Sequence, residues 1–192
     1  MRLVLLGPPG AGKGTQSAAI VEAFGVPHIS TGDIFRANVK GETPLGKEAQ
    51  AFMARGELVP DSVVNRMVAD RLRQADAEVG FLLDGYPRTV GQAYTLGGML
   101  AMLDASLDAV LHFHVPDDEL ESRIAKRQSE EGRDDDDAAV FGRRMEEYRA
   151  QTTDLIPHYR ESGLLVDIDA VGTVEEVRER VLQACRGTTA AE

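Results

Sequence analysis

Between an aliphatic run, Leu3 to Leu6, and a helical pattern, Thr15 to Phe24, the chain carries Gly7-Pro8-Pro9-Gly10-Ala11-Gly12-Lys13. Neither a helix nor a strand runs through that many prolines and glycines, so a loop is forced there. The pattern is G-x-x-x-x-G-K in its required setting, strand before and helix after. The glycines let successive backbone N–H groups turn inward around an anion, where side chains would obstruct them. The following helix adds its N-terminal dipole. Lys13 supplies a mobile positive charge for a transferred phosphoryl group. One feature departs from the general pattern: Gly14 follows the lysine, and the hydroxyl comes one place later at Thr15.

A strand feeding a helix through a tight loop is the unit of an α/β fold, and the rest of the chain repeats it. Apolar runs at Val26–Ser30, Phe81–Leu83, Leu107–Val115 and Leu164–Ile168 alternate with helical patterns such as Val63–Gln74, Asp117–Gln128 and Ala138–Tyr159. Pro116 followed by Asp-Asp-Glu marks a helix start. Thr173 with Glu176 three residues on reads as a capping box. Such alternation predicts right-handed crossovers and a mostly parallel sheet covered on both faces, with ligands at the carboxyl ends of its strands. The 192 residues suit one domain with small insertions, and those after Arg186 read as a frayed tail.

Charge narrows the partners. A net charge of −11 and a pI near 4.8 argue against nucleic acid or an anionic membrane surface as the main partner. No apolar run approaches the roughly 20 residues of a membrane helix, and the apolar N-terminal stretch is too short for a signal peptide. The lone Cys185 excludes an internal disulfide and a Cys-cluster metal site. A cytoplasmic protein is expected. Within this acidic chain, 17 arginines stand against 4 lysines, the choice that suits bidentate phosphate binding.

GPPGAGKGT at 7–15, STGDIFR at 30–36 and DGYPRT at 84–89 with Gln92 together resemble the adenylate kinase family, in order and spacing over nearly the whole chain. The displaced Thr15 is that family's own pattern. The resemblance implies reversible phosphoryl transfer from ATP to AMP, giving two ADP, with Mg2+. It implies a P-loop three-layer α/β/α core with a five-stranded parallel sheet (1–29, 60–126 and 138–192), a helical AMP-binding segment (30–59) and a short lid (127–137). Only five residues separate Arg127 from Arg133, so there is no room for the β-rich lid of longer members, and structural zinc is not expected. The partners implied are ATP, AMP and ADP, and the state implied is a monomer.

The resemblance also assigns roles. Gly10, Ala11, Gly12, Lys13, Gly14 and Thr15 would cradle the ATP phosphates. Arg123 would stack on the ATP adenine, Arg127 would touch phosphate, and Gly172 would offer its backbone to that adenine. Thr31 and Arg36 would hold AMP, with Glu57, Leu58 and Val59 lining its base pocket. Gly85, Tyr86, Pro87 and Arg88 would continue the site, with Arg88 on the AMP phosphate and Gln92 on the adenine edge. Arg133 and Arg144 would be two later phosphate clamps, and with Lys13, Arg88 and Arg127 they form the expected catalytic set. Asp33 and Asp84 would hold magnesium, through water. Asp135 and Asp136 match lid acids.

An anionic phosphate acceptor needs cationic clamping, alignment and exclusion of water, and no general base. The four histidines, His28, His112, His114 and His158, accordingly read as structural. Arg143, Arg149, Arg178 and Arg180 read as solvated faces or surface ion pairs, Met53, Met67, Met99, Met102 and Met145 as packing residues, and Gly41, Gly46 and Gly56 as flexible points around the AMP segment. Two other readings stand beside this one. A UMP/CMP kinase shares the loop and the arginines but usually carries Ala where this chain has Thr31, and different residues at Thr89 and Gln92. A catalytically silent nucleotide-binding regulator would not need the full arginine set.

Overall fold

Five short strands form one wholly parallel sheet: β1 (Arg2–Leu6), β2 (His28–Ser30), β3 (Phe81–Asp84), β4 (Ala109–His114) and β5 (Leu165–Asp169). The computed structural model describes residues 1–131 and 137–189. The strand order is β2-β3-β1-β4-β5, in register with Leu3 beside Leu82 and Val4 beside Val110. The chain leaves β1 toward β2 and β3 on one side and reaches β4 and β5 on the other. The connections therefore part at the carboxyl end of β1, which opens a crevice there.

The sheet is covered on both faces, as a parallel sheet must be. Leu3 and Leu5 of β1 point to one face with Leu82, Leu111 and Phe113. There they meet α1 (Lys13–Phe24), α6 (Asp117–Glu131) and α9 (Val174–Thr189) through Ile20, Leu120 and Val181. Val4 and Leu6 point the other way with Leu83 and Val110. That face is covered by α4 (Asp61–Leu72), α5 (Val90–Ala101) and α8 (Leu155–Glu161) through Val68, Leu96 and Leu155. Truncating a side chain as fully buried as Leu83 to alanine costs about 2–5 kcal/mol.

Segment 30–59 folds as two helices, α2 (Thr31–Lys40) and α3 (Pro44–Arg55). Ser30 caps α2 by accepting from the Asp33 N–H at 3.2 Å, and Thr43 caps α3 ahead of Pro44. Gly46 is a packing position here and not a flexible point. A Cβ on it would lie 2.1 Å from the Asn38 carbonyl oxygen, so only glycine lets α2 and α3 approach this closely. The capping box at α9 forms reciprocally: the Thr173 N–H donates to Glu176 Oε2 at 2.8 Å, and the Glu176 N–H donates to Thr173 Oγ1 at 3.2 Å.

The helix predicted over Ala138–Tyr159 is in fact interrupted. It forms α7 (Ala138–Glu147), a π-helical turn (Tyr148–Thr152) and then α8. Pro157 is the reason. Its missing N–H leaves the Thr153 carbonyl without its usual donor and its ring crowds that carbonyl, so α8 starts afresh, while the Thr153 N–H closes the π-helical turn on the Tyr148 carbonyl at 3.0 Å. Met102, expected in the core, is exposed in the turn after α5. No helix among the described residues is long and apolar enough to cross a membrane.

Candidate functional site

The loop after β1 is wound by residues that only glycine tolerates. Gly10 and Gly12 sit at φ of 86° and 88°, in the left-handed region. The Ala11 N–H closes a turn on the Pro8 carbonyl, and Gly12 starts α1. Lys13 folds back over the loop, with Nζ donating to the carbonyls of Gly7 at 2.7 Å and Pro8 at 2.9 Å. Around it lies a cleft of about 550 Å3 that all six residues from Gly10 to Thr15 line.

The electrostatics of that cleft centre on Lys13. Burial pushes its ammonium down to about 8, opposed by the Asp84 carboxylate and reinforced by the charges of Arg88, Arg144 and Arg127. Four cations thus line one cleft. Asp84 closes the end of β3. Burial would raise its carboxyl, but His28, Lys13 and Arg88 together hold it below the usual carboxylate range. His28 Nε2 lies 3.7 Å from Asp84 Oδ2. This histidine was expected to be purely structural, yet it lines the cleft, because β2 and β3 end side by side. Asp33, on the first turn of α2, faces the same cleft and pairs with Arg36 at 2.6 Å.

A smaller alcove of about 80 Å3 opens beside the cleft, lined by Thr31, Arg36, Glu57, Leu58, Val59, Gly85, Arg88, Gln92 and Arg144 among others. Its polar groups are pre-arranged. Thr31 Oγ1 donates to the Gly85 carbonyl at 3.0 Å, and Arg88 Nε donates to the same oxygen at 2.9 Å. Gln92 is buried, with Oε1 accepting from the Arg88 N–H and Nε2 donating to Asp61 Oδ1, both at 2.7 Å. Glu57 is held by a bidentate pair with Arg55 at 2.9 and 2.6 Å.

The remaining sequence-predicted residues fall elsewhere. Pro87 lines the cleft, but Tyr86 packs in the core, its hydroxyl donating to Asn65 Oδ1 at 2.7 Å. Arg123 lies at the rim of the loop, paired with Glu119 and donating to the Ala170 carbonyl, both at 2.9 Å. Gly172, at φ of 124°, is in the turn between β5 and α9. Arg133, Asp135 and Asp136 lie outside the described residues.

Two of the arginines expected at the surface also reach main-chain carbonyls, Arg180 while keeping an exposed ion pair with Asp169 at 3.4 Å. Arg143 Nε donates to the Arg55 carbonyl at 2.7 Å, joining α7 to the end of α3. Arg180 donates to the carbonyls of Asp169 and Val171 at 2.8 and 2.6 Å, shaping the turn that holds Gly172. Neither could be read from sequence, because both acceptors are main-chain atoms brought near by tertiary packing. Asp61 was likewise missed; as an acid in a helix's first turn it looks like an ordinary dipole partner. Arg149 is the exposed ion pair expected of it, with Asp117.

Comparison with known proteins adds an independent line. The profile of the family described as adenylate kinase matches residues 5–164. A protein of Pseudarthrobacter chlorophenolicus named adenylate kinase is 51% identical over 190 residues, covering 99% of each chain. One of the same name from Nocardia farcinica is 54% identical over 184 residues, 96% of this chain and 98% of that one. Another from Thermobifida fusca is 52% identical over 186 residues, 97% and 98% of the two chains. Likeness of this extent, running through the loop, the cleft and the alcove alike, means that the chain belongs to the adenylate kinase family.

Proposed function

We propose that the chain catalyses reversible, magnesium-dependent transfer of the γ-phosphoryl group of ATP to AMP, giving two ADP. The observation that carries this reading is the convergence of Lys13, Arg88, Arg127 and Arg144 on one cleft that joins the phosphate loop to the alcove. In the reaction the bond from the γ phosphorus to the β,γ-bridging oxygen breaks, and a bond from that phosphorus to an AMP phosphate oxygen forms. The acceptor is already ionised, so no base is needed. Rate comes from alignment and from cations placed where charge is shared in the transition state.

In this reading the loop N–H groups from Gly10 to Thr15 hold the ATP phosphates and Lys13 spans to the transferring group. Arg36 and Arg88 hold the AMP phosphate, and Thr31 with Glu57 to Val59 and Gln92 encloses its base. Arg127, Arg144 and Arg133 clamp the phosphoryl group; Arg123 and Gly172 flank the ATP adenine. Asp33 and Asp84 suit a hard dication, being carboxylates on the wall of the phosphate cleft. Two such groups leave most of an octahedral shell to water and phosphate. Bound there, Mg2+ would neutralise phosphate charge. Segment 30–59 acts as the AMP-binding unit and 127–137 as a short lid that shuts out water. The protein acts as a cytoplasmic monomer, with no nucleic-acid or membrane partner.

The test is ADP formation with ATP and Mg2+ across AMP, UMP, CMP and GMP. Activity with AMP far above the others is the expected result. Activity chiefly with UMP or CMP would keep the phosphate clamps and overturn the base assignment. Failure with every acceptor, in protein that binds ATP, would make this a regulator.

A further inference from the structure

Resting on the reading of the alcove as the AMP base pocket, we propose that Asp61 is a positioning residue that sets the enzyme's choice of acceptor base by fixing which way the Gln92 amide faces. A glutamine amide can be turned end for end, exchanging its donor and acceptor sides at little steric cost. Gln92 cannot turn here. Its Nε2 faces a carboxylate oxygen of Asp61 that can only accept, and its Oε1 faces the Arg88 N–H that can only donate. Reversal would set lone pairs against lone pairs on one side and N–H against N–H on the other. Buried as Gln92 is, both mismatches would be desolvated and costly.

Asp61 is itself anchored. It opens α4, and its second oxygen accepts from the Thr89 hydroxyl at 3.0 Å. Thr89 in turn caps α5 by accepting from the Gln92 N–H at 3.1 Å. The carboxylate is thus held from the helix that follows the alcove wall, and it acts on the helix that carries Gln92.

A primary amide has two N–H groups and two acceptor lone pairs. With one of each used, Gln92 keeps one N–H and one lone pair, in a fixed order. With the base seated so that N1 meets the amide nitrogen and the 6-substituent meets the amide oxygen, that order complements adenine, whose ring N1 accepts and whose 6-amino group donates. It opposes hypoxanthine, whose N1–H donates and whose 6-oxygen accepts. The Asp61 carboxylate therefore rejects an oxo-purine without touching it, by denying Gln92 the rotation that would accept one.

The experiment compares Asp61→Asn with the unmodified enzyme, using AMP and IMP as acceptors at saturating ATP and Mg2+, and ATP titrated at saturating AMP. Asparagine is isosteric but can itself turn, so the amide pair can reverse together against only the Arg88 N–H. Expected are a rise of about tenfold in KM for AMP and a fall of about tenfold in the AMP-to-IMP ratio of kcat/KM. KM for ATP and kcat with AMP should stay within about twofold. A residue that merely joins α4 to α5 would lower the unfolding temperature and leave the AMP-to-IMP ratio alone, and that result would overturn the proposal. Should Asp61→Asn not fold, Thr89→Val removes the second anchor of the carboxylate and is expected to move the ratio the same way, by about threefold; an unmoved ratio would again overturn it. Gln92→Ala separates the two layers. If it leaves KM for AMP unchanged, the base-pocket reading fails. If it raises KM for AMP while Asp61→Asn alters nothing, the pocket stands and the positioning role falls.

Discussion

The loop side of the cleft and the alcove beside it are built by opposite means. On the loop side, glycines in the left-handed region wind the main chain, and a single lysine has its charge opposed by burial and by three arginines, two of which, Arg88 and Arg144, also line the alcove. On the alcove side the polar groups are side chains already engaged with one another: Arg36 with Asp33, Arg88 and Thr31 with the Gly85 carbonyl, Gln92 with Asp61. The loop side holds a cation against burial and like charge. The alcove side is a frame of side chains already paired with one another and with main chain. Loss of one cation should therefore damage the loop side in rate, and loss of one hydrogen bond should damage the alcove side in affinity or selectivity.

The sharpest break comes at Lys13. Lys13→Met is expected to lower kcat by about 10^3-fold, the scale for removing a preorganised charge from a transition state. Its unfolding temperature should stay within a few degrees of the unmodified protein, because the lost hydrogen bonds are offset by a relieved buried charge. A large fall in that temperature would mean that the lysine supports the fold, and the contrast between the halves would fail. Next is Arg88→Lys, which keeps the charge and loses the fork. A decrease of about 10^2-fold in kcat is expected, read by steady-state ADP formation. Near-normal kcat would show that charge alone suffices there.

The pH response is of about tenfold. The Lys13 ammonium titrates near 8 in the free enzyme, below its ordinary 10.5. Its charge is present below pH 8 and lost above, so kcat/KM for ATP should fall about tenfold by pH 9, while kcat at saturating ATP falls less, since bound phosphate favours the charged form. Stability follows the opposite sign. The charge costs the fold stability below about pH 8, and that cost fades as pH rises toward 10.5. Lys13→Met has no such cost to lose, so its unfolding temperature should fall progressively below that of the unmodified protein over that range. The smallest effect is at the junction of the halves. Arg143 donates to the Arg55 carbonyl, beside Gly56, whose backbone abuts Val140 of α7. Arg143→Ala should raise KM for AMP about threefold, the scale of one exposed hydrogen bond, and leave KM for ATP unchanged.

Much of the loop side was legible in the residues. Gly10, Gly12 and Lys13 have roles set by local backbone chemistry, so their spacing suffices to predict their geometry. The parallel sheet was legible for the same reason, since Leu3 to Leu6 and Phe81 to Leu83 must be buried on both faces. The alcove was legible only through motif resemblance, and its internal wiring was not. Nothing in the spacing of Asp61 and Gln92 ties them, 31 positions apart, and nothing in a charged stretch of helix marks Arg143 or Arg180 as a donor to distant carbonyls. The break at Tyr148 was overlooked because the apolar period continues past it, although Pro157 was there to be weighed.

The chain's own residues thus dictate the α/β alternation, the anion-binding loop and the arginine-rich, base-free character of the chemistry, because each depends on contacts between near neighbours or on the chemistry of a residue type. Folding alone decides which carboxylate faces Gln92, which histidine joins Asp84 and where α7 meets α3. Those are encounters between side chains and main-chain atoms far apart in sequence, and their geometry exists only once the two faces of the sheet have been packed.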